Sequence, residues 1–93
     1  MKSAYELAME RLAASDGDRK AVTEEQKAKL AEIDETYRAK IAEREVFLAP
    51  KLAAAEAQGD RSEAQDLRKQ MASERARLEE EREHKKDAIR DDA

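Results

Sequence analysis

A chain of 93 residues in which 45% are charged and 3% aromatic has room for one small domain and little material for a wide apolar core. It has no cysteine, which excludes a disulfide framework and thiolate metal ligation. The net charge of −4 comes from interleaved acids and bases, which argues against nucleic acid as a partner, since that footprint needs a one-signed basic face.

No apolar run nears the ~20 residues of a membrane span. Glu6, Glu10 and Arg11 interrupt what would be the apolar core of a signal peptide. A cytoplasmic chain with no membrane partner is expected. The wealth of Ala, Glu, Lys, Arg and Leu, with strict apolar spacing, reads as long helices and not as disorder.

Residues 1–14 predict a short amphipathic helix. Ser3 with Glu6 fits a capping box, and Tyr5, Ala8, Met9 and Leu12 share one face. A helix this short is marginal alone in water. It is expected to dock near Lys29–Ile33, at the start of the next helix. Residues 15–22 carry turn chemistry and read as a linker.

A long helix is predicted over 23–57. Thr23 and Gln26 form a capping box, and Glu24 and Glu25 suit the positive end of the dipole. Leu30, Ile41 and Leu52 stand at intervals of eleven, with Ile33, Tyr37 and Leu48 between them. That period is close to the natural helical one, so the helix should run nearly straight. Pro50 deprives the Val46 carbonyl of its donor. Ala49 is a poor cap, so a kinked helix is expected there and not a break.

Residues 58–60 form the turn. Gly59 suits a left-handed residue, and Asp60 with Glu63 opens a second helix over 60–90, followed by a tail at 91–93. The second stripe is Leu67, Met71, Leu78 and Ile89. The two stripes mirror each other about the turn. Leu52 falls opposite Leu67, Leu48 opposite Met71, Ile41 opposite Leu78, and Leu30 opposite Ile89. Ala55 and Ala64 form a tight layer beside the turn. The expected fold is all-α: an antiparallel two-helix coiled-coil hairpin preceded by a short N-terminal amphipathic helix. The same register sets Arg44 against Arg75, with Glu43, Glu45 and Glu74 near enough to compensate. It also sets Tyr37 against Arg82, as a ring–guanidinium stack.

A further stripe, Ala28, Ala31, Ala39, Ala42, Val46, Ala49, Ala53 and Ala57, is placed roughly 100° round the long helix. Alanine alone is explained by helix propensity, but Val46 and Phe47 are not. Ala39, Ala42, Val46, Phe47, Ala49 and Ala53 therefore read as a protein interface. A two-fold homodimer would close it as a four-helix bundle centred near Val46, or a larger helical assembly would.

Chemistry has little support. The only His lies among charged residues, and no glycine-rich phosphate loop exists. The one constellation is Glu81-x-x-His84 with Glu35 and Glu32 on the facing helix. Ferritin-like di-iron sites are built from such parts, completed by oligomerisation. The charged run around His84 carries Arg75–Glu79, Arg77–Glu81 and Glu81–Lys85 spacings, which read better as a solvated face. The leading expectation is a non-enzymatic interaction module without cofactor. The alternative is a ferritin-like metal-binding protein.

Overall fold

The computed structural model describes residues 3–10 and 22–92. These form three helices: α1 over residues 4–10, α2 over Glu24–Ala57 and α3 over Arg61–Asp91, with no strand among the described residues. The end expected for the first helix at 11–14 and most of the linker at 15–22 lie outside them.

Ser3 caps α1: its Oγ accepts the Glu6 amide at 3.1 Å. Docking would bury the apolar side of this helix. Tyr5 is instead 73% exposed, and every residue of 3–10 is exposed. The expected seat on Lys29–Ile33 is not taken up.

Thr23 and Gln26 form the full capping box at the start of α2. Thr23 Oγ1 accepts the Gln26 amide at 3.0 Å, and Gln26 Oε1 accepts the Thr23 amide at 2.8 Å. Gln26 also donates to the carbonyl of Ile89 at 3.2 Å, tying the start of α2 to the end of α3. The helix runs unbroken through Pro50.

The turn between the long helices is a Schellman motif. Asp60 donates its amide to the Ala55 carbonyl at 2.9 Å, and Gly59 donates to Glu56 at 3.1 Å. Gly59 has φ +71°, the left-handed conformation that the motif requires. Asp60 serves twice, because its Oδ1 also caps α3 by accepting the Glu63 amide at 3.0 Å. Of the capping box expected at Asp60 and Glu63, this half forms.

α2 and α3 pack antiparallel in the expected register. Leu48, Ala55, Ala64 and Leu67 are buried together, with Leu52 and Met71 packed against them. Ile41, Leu48, Met71 and Leu78 line one narrow cleft further along. Beyond it the seam thins: Leu30, Ile33 and Ile89 are half-buried. The buried cluster lies beside the turn, and the two alanines Ala55 and Ala64 are part of it.

Candidate interaction surface

Every sequence-predicted surface residue lies on α2, and α2 has two apolar sides. Tyr37, Leu48 and Ala55 point into the seam and are at most 4% exposed. Val46 lies nine residues after Tyr37 and nine before Ala55. Nine residues at about 100° each make two and a half turns, so Val46 points directly away from α3, and it is 74% exposed. The stripe expected roughly 100° from the seam is thus on the opposite side of the helix. A partner docked on this side would lie away from α3 and from the seam.

Ala39, Ala42, Ala49 and Ala53 are exposed beside Val46, with steps of three and four between successive members. Pro50 falls on the same side. Phe47, at the edge, is 51% exposed. Two cations sit on its ring: Arg44 at 4.9 Å and Lys51 at 4.2 Å from the centroid. The structure brings the six predicted interface residues together on one open face. The back of α3 differs: Asp66, Lys69, Glu80, Glu83 and Asp87 are all exposed there.

Polar layers complete the seam. Arg44 and Arg75 do not repel, because each takes a carboxylate from the opposite helix. Arg44 binds Glu74 and Arg75 binds Glu45, at 2.9 and 3.1 Å. Arg75 is held further above its ordinary pKa by its hydrogen bond to Glu79, then by the charges of Glu45 and Glu79. The stack of Arg82 on Tyr37 is not formed. The cations over that ring are Lys40 and Lys85, at 4.8 and 5.3 Å. Tyr37 Oη donates to Glu81 at 3.5 Å, a long bond. Arg82 Nε lies 3.4 Å from Glu83 Oε1, yet it is buried without a hydrogen bond, so this contact is charge attraction out of line.

Sequence reasoning missed the pair Asp34–Lys86, 2.9 Å apart. Opposed residues such as Leu52 and Leu67 have numbers that sum to 119, and Asp34 with Lys86 sums to 120, so the mirror register already placed them together. The hydrogen bond from Lys86 holds the Asp34 carboxyl below its usual range. Desolvation opposes this, and the charges of Lys86, Arg82 and Arg38 support it. The aromatic–cation contacts were also legible, since Tyr37–Lys40, Arg44–Phe47 and Phe47–Lys51 are spaced by three or four.

The metal constellation does not assemble. Glu32, Glu35, Glu81 and His84 are all exposed. Glu35 is turned to Arg38 at 3.3 Å, and Glu81 to Tyr37 and Arg77. Among the described residues no three His, Cys, Asp or Glu side chains gather as a ligand set. No described helix is long and apolar enough to cross a membrane. No known protein family, curated protein or solved structure matches this chain.

Proposed function

We propose that this chain is a non-enzymatic helical-hairpin interaction module, one that self-associates or serves as a small structural subunit of a larger protein assembly. One observation carries this: the seam consumes one apolar side of α2, and the opposite side, centred on Val46, is also apolar and lies open. Exposed apolar strips of this kind mark contact sites. A hairpin also buries only one stripe per helix, so a further helix contact on the open side of α2 adds apolar burial that the seam does not supply. A cytoplasmic location belongs to this reading and rests on the cysteine-free, charge-rich composition.

The test is Ala42→Glu, which places a charge on the strip and leaves the seam intact. The variant is expected to keep its helical circular dichroism and to lose its oligomer in light scattering. Ser73→Glu, on the back of α3, is expected to change neither. A wild type that is a monodisperse monomer, matched in stability by Ala42→Glu, would reduce the strip to helix-forming alanine.

A further inference from the structure

We infer that the occupant of the strip is a second copy of this chain, docked antiparallel, back of α2 against back of α2, about a two-fold axis near Val46. This rests on the interaction-module reading and specifies its partner.

Charge selects the partner and its direction. Glu43, beside the strip, makes no ion pair with any described residue. Lys51, two turns on, has its ammonium on the Phe47 ring and no carboxylate partner among the described residues. An antiparallel second copy centred at Val46–Phe47 sets Glu43 beside the partner's Lys51. The symmetry repeats the pair, so one arrangement supplies two unmet acids with two unmet bases. On the other edge it sets Arg38 beside the partner's Glu56. Both are exposed and reachable, although each already has a neighbour in its own chain.

The strip's ends exclude the parallel alternative. Glu35 lies nine residues before Arg44, so it continues the back face towards the start of α2. A parallel copy would set Glu35 against the partner's Glu35 and Glu32 against the partner's Glu32. An antiparallel copy carries both past Ala57 of the partner subunit, towards the turn. Self-complementary patches of this kind are what a two-fold interface requires.

The assembly is a flat layer. The two α2 helices stand at its centre and the two α3 helices outside, because strip and seam face opposite ways. With each helix pair 8–10 Å apart, the two α3 axes stand about 25–30 Å apart. In a closed four-helix bundle the same axes would be about 10–14 Å apart.

The experiment is disulfide trapping in the full chain. Val46→Cys is expected to trap a dimer alone. Ala39→Cys is expected to trap a mixed dimer with a length-tagged Ala53→Cys chain, and little dimer alone. A spin label at Ser73→Cys, on the exposed side of α3, is expected to report the long separation. Efficient trapping by Ala39→Cys alone would mean a parallel pair, overturning this inference while leaving the strip an interface. A short label distance would overturn the flat layer in the same way. A wild-type monomer in light scattering, with no trapping by any variant and full tolerance of Ala42→Glu, would overturn both the second copy and the interaction reading.

Discussion

Arg44 grips Glu74 across the hairpin with two hydrogen bonds, Nε to Oε2 at 3.3 Å and Nη2 to Oε1 at 2.9 Å. One residue further along each helix the charges are reversed, and Glu45 accepts from Arg75 Nη1 at 3.1 Å. The two pairs cross the seam where the apolar stripe is interrupted, so opposite charge holds the register there.

A double-mutant cycle on Arg44→Ala and Glu74→Ala should give a coupling of about 0.5–1 kcal/mol, the upper part of the range for partly exposed pairs with bidentate geometry. It should shrink at 1 M salt, where the Debye length falls to about 3 Å. Arg44→Glu should cost more than Arg44→Ala, because it faces Glu74 with a like charge. Equal losses for the two substitutions would mean that the pair does not set register.

Leu48 and Val46 are two residues apart on one helix and should respond oppositely. Leu48 is 2% exposed and sits in the cluster beside the turn. Leu48→Ala should cost about 2–4 kcal/mol through lost burial and the cavity left behind. Val46→Ala, measured at dilutions where the chain is monomeric, should change stability by no more than about 0.5 kcal/mol. Chemical denaturation of both variants decides this. A large loss at Val46 in the monomer would place that side chain inside the hairpin.

The pairing of Leu48 with Met71 and of Ala55 with Ala64 was legible because apolar spacing and one turn centre determine a hairpin's register. The direction of the back strip was legible too, had residues been counted from Tyr37 to Val46. Docking of α1 was not, because the instability of a short helix gives only a need to dock, and the linker's reach to Lys29–Ile33 gives only a range, with no apolar partner specified there. The Tyr37–Arg82 stack failed for a different reason. Register places two Cα atoms opposite each other but leaves several long cations within reach of one ring, and Lys40 and Lys85 took it.

Acid should weaken the half of the hairpin far from the turn. The Asp34 carboxyl is depressed by its hydrogen bond to Lys86. A group whose folded pKa lies below its unfolded value adds stability above the unfolded value, and loses it as pH falls through the folded one. At pH 7, Asp34→Asn should therefore melt below wild type. The two melting temperatures should converge as pH falls through about 4, where free aspartate is about half protonated. A constant gap down to pH 2 would show that the loss in the variant is not electrostatic.

Gly59 tests the turn. Its left-handed φ of +71° suits glycine, and among the described residues, its two chain neighbours aside, no atom lies within 4 Å of where a Cβ would stand. Gly59→Ala should therefore cost only the backbone penalty, about 1–2 kcal/mol, with no steric addition. Gly59→Asn should recover part of this, since asparagine tolerates the conformation. Asp60→Ala is a separate lesion. It keeps the amide that bonds Ala55 and removes the carboxylate that caps α3, at about 1 kcal/mol. The combined variant should lose close to the sum, because one change acts on backbone conformation and the other on a side-chain bond. Thermal melts of the three variants and the double give the comparison. A neutral Gly59→Ala would mean that the chain leaves α2 without a left-handed residue, and that the two helices are not joined by this Schellman turn.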